Sequence, residues 1–136
     1  MVFSDWVFVA NKDEITDENK PFIMTIDLNG SGDVALSFYC DFFFIALIKD
    51  RINDRDAGNW KDVIFRVDKN KPKTIPFLMT KFGYATKDKS EIFSTIKTGN
   101  KLLTRFKFQD ETKTYSFSLN GLTRAYNKLQ QECKNK

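Results

Sequence analysis

The sequence predicts a mainly β protein, either an antiparallel β-sandwich or a strongly curved sheet, with a short helix at about 90–98 and a C-terminal amphipathic helix at about 121–133. Three observations favour this fold class. Aromatic residues make up 15% of the chain, with 14 Phe, and such side chains suit a pleated, half-buried surface. Several segments alternate apolar and polar residues with the period of a strand. The C-terminal segment instead repeats its apolar residues at helical spacing.

The first half of the chain is predicted to form strands over 6–10, 21–28 and 34–40. The last two make a hairpin, because residues 29–33 are rich in Gly and Asn, which tolerate the positive φ of a tight turn. Residues 42–49 are apolar without alternation, which predicts a strand that is buried on both faces or that bends between sheets. Residues 50–59 are charged and are predicted to form an exposed loop.

The second half continues with strands over 63–68 and 74–82, joined by a basic turn at 69–73. Ile92, Phe93 and Ile96 then share one face at helical spacing, which predicts the short helix. Gly99 is placed where a helix commonly ends on a glycine. Two further strands follow over 102–108 and 115–119, joined by a loop at 110–113.

The last helix is predicted to begin after Asn120, a favourable N-cap. Its apolar stripe consists of Leu122, Ala125, Tyr126, Leu129 and Cys133. A helix with one apolar face must lie on the sheet, so Cys133 faces the core, as does Cys40 at the end of strand 34–40. The two cysteines form either a disulfide or two separate buried thiols, and the pattern alone favours neither.

The chain has 136 residues, which predicts a single domain over 1–136. It contains no histidine, which excludes Ser-His-Asp and Cys-His catalysis and His-ligated zinc. Its acidic residues cluster in polar loops, at 13–18 and 50–56, where we expect carboxylates to stay solvated and not to act as catalytic pairs. We therefore expect no enzymatic activity, no cofactor and no metal.

One segment has partial calcium-loop character. Oxygen-bearing side chains stand at alternate positions of a glycine-containing loop, at Asp27, Asn29, Ser31 and Asp33, and calcium favours such ligands. Phe38 stands where the final bidentate Glu belongs, and the flanking segments are strands. A plain hairpin turn is the favoured interpretation.

Localisation depends on how the chain begins. No apolar run reaches the roughly 18 to 20 residues that span a bilayer, and no signal peptide follows Met1. A periplasmic or secreted protein would have lost a signal sequence ahead of Val2, whereas a native start at Met1 implies the cytoplasm.

Charge is divided unevenly, with a net −6 in residues 1–41 and a net +10 in residues 42–136. Such asymmetry steers charged partners.

Both tryptophans, Trp6 and Trp60, are predicted to be buried and to fill the core at the ends of the sheet. Trp60 is the better candidate for a binding anchor, because it follows a charged loop. The candidate partner-binding residues are Arg51, Arg55, Trp60, Lys61, Lys69, Lys71 and Lys73.

Basic residues among aromatics also suit nucleic acid. The phenylalanines are needed for the core, however, and Lys dominates over Arg, the better reader of phosphates and bases. Nucleic acid is therefore the less favoured partner.

The order of segments in the chain resembles a known family. The first half contributes Trp6 and Tyr39-Cys40. The second half contributes, in chain order, the strand Phe65-Arg66-Val67-Asp68, the helix from Ile92 to Ile96 with Gly99 after it, and the basic strand from Leu102 to Phe106. The pattern ends with the segment from Ser116 to Leu122, followed by Ala125, Leu129 and Cys133. This pattern is similar to the type VI secretion-associated VasI/TagO family and to the related invasion-associated locus B proteins. The run after Cys40 lacks the spacer expected there.

The resemblance implies an exported, non-enzymatic β domain with a Cys40–Cys133 disulfide. The function expected from it is a periplasmic or secreted accessory protein, associated with secretion or virulence, that binds a protein or a cell-envelope component. It would bind its partner through an exposed strand edge, the loop before Trp60 and the basic face. The alternative is a cytosolic inhibitor, for instance phage-encoded, or a nucleic-acid-associated module that uses the Lys-rich face.

Overall fold

The computed structural model describes residues 1–29, 32–108 and 110–134. The strands are β1 (Val2–Phe3), β2 (Trp6–Val9), β3 (Phe22–Ile26), β4 (Val34–Tyr39), β5 (Phe43–Leu47), β6 (Trp60–Val67), β7 (Lys73–Thr80), β8 (Gly83–Thr86), β9 (Lys101–Phe108) and β10 (Glu111–Ser118). The helices are α1 (Lys89–Ile96) and α2 (Leu122–Lys134). The mainly β class and both predicted helices are confirmed.

All ten strands belong to one antiparallel sheet in the order β1-β2-β3-β4-β5-β8-β7-β6-β9-β10. The sheet curls so that β10 approaches β2 and β3 at the opposite end of this order. Leu28 N–H donates to the Ser116 carbonyl at 2.7 Å, and the Trp6 indole N–H donates to the Ser118 carbonyl at 3.0 Å. No strand ladder closes the ring within the described residues. The structure therefore decides for the strongly curved sheet over the sandwich.

The concave side of the sheet holds an aromatic core. Phe38 and Phe43 lie 4.6 Å apart between ring centroids, and Phe43 is 6.0 Å from Phe77. Strand alternation places these rings on the inner face. The sequence period had predicted this for strand 34–40, which holds Phe38, but not for the segment 42–49. Strand β5 alternates buried and half-buried residues, so the expectation of burial on both faces for 42–49 is only partly met.

The two helices cover one end of the curved sheet. Tyr126 of α2 stacks on Phe93 of α1 with ring centroids 3.8 Å apart, and its edge meets Phe38 of β4 at 5.4 Å. The predicted stripe of α2 is buried at Leu122, Ala125, Tyr126 and Leu129. Ala125 N–H donates to the Gly121 carbonyl, so the helix begins one residue later than an N-cap at Asn120 would place it.

Gly99 has a different role from the one predicted. The residue capping the end of α1 is Lys97, so Gly99 lies two positions further on. A Cβ atom at Gly99 would stand 2.0 Å from Cγ1 of Val67. The glycine is needed because β6 passes close by, a contact that sequence patterns do not reveal.

Two strands and one turn escaped prediction. β1 is only two residues long. The predicted strand 74–82 ends at Thr80 as β7, a turn follows at Lys81 and Phe82, and β8 lies beyond the predicted strand. Gly83 begins β8, where a Cβ atom would meet the Ile45 carbonyl oxygen of β5 at 2.0 Å. The expected loop at 110–113 is also too long, because β10 already begins at Glu111. Residues 30 and 31 of the predicted turn 29–33 lie outside the described residues.

Candidate functional site

The predicted binding residues are divided between the two ends of the β6–β7 hairpin. Trp60 pairs with Leu78 at one end, whereas Phe65 pairs with Lys73 at the other. Strands of this length span roughly 25 Å. Arg51, Arg55, Trp60 and Lys61 therefore belong to one end of the molecule, and Lys69, Lys71 and Lys73 to the other. The candidate residues therefore lie on two separate surfaces.

The loop before β6 is fixed to the sheet although it is exposed, as predicted. Ile52 is buried and its N–H donates to the Lys81 carbonyl at 2.9 Å, while Gly58 N–H donates to the Met79 carbonyl at 2.7 Å. Arg51 donates to the Asp50 carbonyl at 2.7 Å and stacks over the Phe82 ring at 4.9 Å. Arg51 thus stabilises the loop, and Arg55 remains exposed.

A polar pocket of about 350 Å³ lies between this loop and the open end of the curved sheet. Its charged lining residues are Arg55, Asp56, Lys61, Lys107 and Asp110. Tyr84 lies at the pocket wall, where its hydroxyl group donates to the Lys107 carbonyl at 3.3 Å. Burial, followed by the nearby Asp56 charge, raises the pKa of Tyr84 to about 12, so the phenol remains a hydrogen-bond donor at neutral pH.

The side chain of Trp60 is not buried in the core. It is 67% exposed, whereas Trp6 is completely buried, so the prediction is confirmed for Trp6 and wrong for Trp60. The reason lies in the alternation of β6, in which Val63, Phe65 and Val67 face the core and Trp60 therefore points to the outer face. The outer face of the sheet is where a partner would meet this side chain.

Trp60 begins a row of apolar side chains that crosses the outer face. The strand register places Trp60 opposite Leu78, Leu78 opposite Ala85, and Ala85 opposite Phe44. Three aromatic residues extend this row. Tyr39 stacks on Phe42 with ring centroids 4.5 Å apart, and the Phe22 ring centroid lies 5.0 Å from that of Tyr39. We call this set the outer apolar face: Phe22, Tyr39, Phe42, Phe44, Trp60, Leu78 and Ala85.

These residues are half-buried by one another, apart from Trp60. Burial raises the pKa of Tyr39, which keeps its hydroxyl group neutral. An ordered apolar row that ends in an exposed Trp has the composition of a protein-binding surface. Sequence reasoning missed all members except Trp60, because outward apolar positions are indistinguishable from core positions until the register is known.

The opposite end of the hairpin holds the remaining lysines. Lys73 forms an ion pair with Glu91 at 2.9 Å, and Lys69 and Lys71 are exposed in the turn. Arg66 donates to the Asn70 carbonyl at 3.1 Å and so braces that turn. An exposed ion pair of this kind contributes little stability, and the binding role of these three lysines stays a prediction.

Cys40 and Cys133 form the disulfide that the resemblance implied, with Cα atoms 5.7 Å apart. Cys40 follows β4 and Cys133 lies in the last turn of α2, so the bridge joins the helix to the sheet. Residue patterns alone had left this pairing open. Both cysteines are partly buried and pack against the core.

The calcium-like segment uses its oxygens internally. Asp27 accepts a hydrogen bond from the Val34 N–H at 3.1 Å, and Asn29 accepts one from the Ser116 N–H at 3.1 Å. Ser31 lies outside the described residues.

In the acidic loop, Asp13 accepts hydrogen bonds from the backbone N–H groups of Ile15 and Thr16. The bond from Ile15 is the main cause that lowers the pKa of Asp13. Within the described ranges, no group of three His, Cys, Asp or Glu side chains is placed to hold a metal ion.

Comparison with family models, with curated proteins and with solved structures finds no match to this chain. The resemblance to the VasI/TagO and invasion-associated locus B families therefore stays a prediction. In the part of the chain that the structure describes, neither helix has the length and apolar character that a membrane crossing requires.

Proposed function

We propose that this protein acts by binding another protein through its outer apolar face, with Trp60 as the anchor. The observation that carries the proposal is the 67% exposure of Trp60 at the end of an ordered apolar row. Exposing an indole to water is unfavourable by roughly 25 cal/mol per Å² of apolar area, so a partner that covers it gains affinity. The neighbouring loop, with Arg55, adds polar groups at the rim of this surface.

We further propose that the protein is a non-enzymatic accessory factor of an oxidising compartment, either the periplasm or the extracellular space. The Cys40–Cys133 disulfide supports this setting, because such bridges persist outside the reducing cytosol. A secretion- or virulence-associated role, with a protein or cell-envelope partner, follows from the family resemblance and belongs to the same proposal.

The test is site-specific photocrosslinking in the native host. A photoreactive residue in place of Trp60 is expected to capture a defined protein, and the same residue in place of Asn127, an exposed position on α2, is not. The captured protein is then purified and its affinity is measured with the wild type and with Trp60→Ala.

Trp60→Ala should weaken binding of the captured protein about 30-fold or more, which corresponds to the loss of a hot-spot residue. Ile15→Ala is the matched control, because Ile15 is an exposed apolar residue in a different loop, and it should leave the affinity unchanged. Equal affinity of Trp60→Ala and the wild type would contradict the proposal.

A further inference from the structure

A second surface lies on the outer face of β6, β9 and β10. Two depressions, of about 340 Å³ and 120 Å³, adjoin there because both are lined by Ile64 and Arg105. Their cationic residues are Lys61, Arg66, Arg105 and Lys107, and their one carboxylate among the described residues is Asp62. We call these two depressions together the basic groove.

The basic groove is lined by more cations than carboxylates, and two of these cations, Lys61 and Lys107, also line the polar pocket with Asp56 and Asp110. Arg105 uses its Nε to donate to the Thr114 hydroxyl at 2.8 Å, and Arg66 donates to backbone carbonyls of the hairpin turn. Neither arginine, nor Lys61 or Lys107, forms an ion pair with a carboxylate of the described residues. Four cations beside one acid create a local field that attracts an anionic ligand.

The floor of the groove is aliphatic. Ile64 is 37% exposed and Leu103 is half-buried beside it. Phe106, which lies under the larger depression, is only 3% exposed. Nucleic-acid bases need exposed aromatic faces on which to stack, whereas aliphatic side chains of a peptide pack well on Ile and Leu.

The edge of β10 offers main-chain groups along the same groove. The main-chain groups of Ser116 point away from β9. Its N–H donates to Asn29 Oδ1, and its carbonyl accepts from the Leu28 N–H. By strand alternation, Thr112 and Thr114 present their N–H and C=O groups to that same side. Within the described residues these groups have no partner. Free edge groups of this kind are the means by which a sheet accepts an extended peptide.

We propose that the basic groove and the edge of β10 bind an extended acidic segment of the partner protein, with carboxylates at alternate positions and small apolar residues between them. The carboxylates would meet Arg105 and Lys107, and the apolar residues would cover Ile64 and Leu103. This inference rests on the proposed function, since it describes part of the protein that Trp60 anchors. Trp60 and Asp62 occupy neighbouring outward positions of β6, so one partner reaches both surfaces.

The probe is a fluorescently labelled peptide of alternating Glu and Val, measured by anisotropy with the full-length protein at about 50 mM salt. The wild type is expected to bind it, and the double variant Arg105→Gln/Lys107→Gln is expected to bind it fivefold to tenfold more weakly, as for the loss of about two exposed charge pairs. Lys12→Gln/Lys20→Gln removes the same charge from exposed positions in the 11–20 loop and should bind like the wild type.

Three results would overturn the inference. The first is equal binding of the acidic peptide by the wild type and by the Arg105/Lys107 variant. The second is binding of a Gln-Val peptide by the wild type as tightly as the acidic peptide. The third is tighter binding of a single-stranded oligothymidylate than of the acidic peptide, which would make the groove a nucleic-acid site.

The two proposals fail separately. If the groove variant keeps full affinity for the protein captured at Trp60, the acidic-segment inference is wrong and the proposed function stands. If the peptide binds as expected but Trp60→Ala keeps full affinity for its captured protein, the groove stands and the Trp60 proposal is wrong.

Discussion

Thr104 carries a hydroxyl group that is completely buried and has no hydrogen-bond partner among the described residues. It lies on the inner face of β9, opposite Phe65 and Tyr115, where water does not reach it. A buried hydroxyl without a partner costs roughly 1 to 3 kcal/mol. Thr25 makes a useful contrast, because it is also buried but donates to the Asp5 carbonyl at 2.7 Å.

We expect Thr104→Val to raise the free energy of unfolding by about 1 kcal/mol, because Val has the same shape and no hydroxyl group. Thr25→Val should lower it by about 1 kcal/mol, because a satisfied bond is lost. Urea unfolding followed by tryptophan fluorescence measures both values. A loss of stability in Thr104→Val similar to that in Thr25→Val would mean that the Thr104 hydroxyl has a partner.

Single residues also mark the limit of sequence reasoning. Alternation over 34–40 correctly placed Cys40 on the core side, where it packs against the core, because each strand has one buried face and the period is local. The same rule could not place Trp60, since its strand begins earlier than the predicted 63–68. Gly99 looked like a helix terminator, and only the approach of β6 reveals why Cβ is excluded there.

At the scale of elements, α2 is the part of the fold most dependent on a single covalent link. The helix packs on β1, β2 and β3 and is joined to the end of β4 by Cys40–Cys133, residues separated by 93 positions. In the chain-entropy model, closing a loop of this length restricts the unfolded chain by about 4 to 5 kcal/mol. The buried stripe of α2 supplies the remaining attachment.

Cys40→Ser/Cys133→Ser should therefore lower the free energy of unfolding by about 2 to 5 kcal/mol. The measurement is urea unfolding, and reduction of the wild type with a phosphine provides the control, because it breaks the same bond without substitution. Unchanged stability in both would show that the bridge constrains nothing. The thiol content of protein isolated from its native host tests the compartment, since two free thiols would contradict the exported setting.

At the scale of the whole molecule, the curled sheet is held at its seam by separate hydrogen bonds. The Trp6 indole donates to the Ser118 carbonyl, the Ser118 hydroxyl donates to the Asp5 carboxylate at 2.5 Å, and Asp5 N–H donates to the Asn120 carbonyl at 3.2 Å. These bonds join residues more than 100 positions apart in the chain. Contacts between residues so far apart in the chain carry a loop-closure entropy that local contacts do not.

Trp6→Phe should lower the free energy of unfolding by about 2 to 4 kcal/mol, because the buried Ser118 carbonyl loses its donor and the smaller ring leaves a cavity. Trp60→Phe is the matched control, and it should change the unfolding free energy by less than about 0.5 kcal/mol, because its side chain is exposed. Equal changes in the free energy of urea unfolding for the two substitutions would contradict a stabilising role of Trp6 at the seam.

Local residue patterns were enough to predict the β-rich class, the short helix and the position and buried stripe of α2, because these features depend on the period of burial and on residues a few positions apart. The composition was enough to exclude His-based catalysis, because the chain contains no histidine. Long-range packing sets how the ten strands curl into one sheet, brings Cys40 to Cys133, and determines which side chains share the outer face with Trp60. Those outcomes depend on the register between distant strands, and register is set by packing of the whole core. The outer apolar face and the basic groove exist only in that register, which is why the two proposed binding surfaces could not be derived from the sequence.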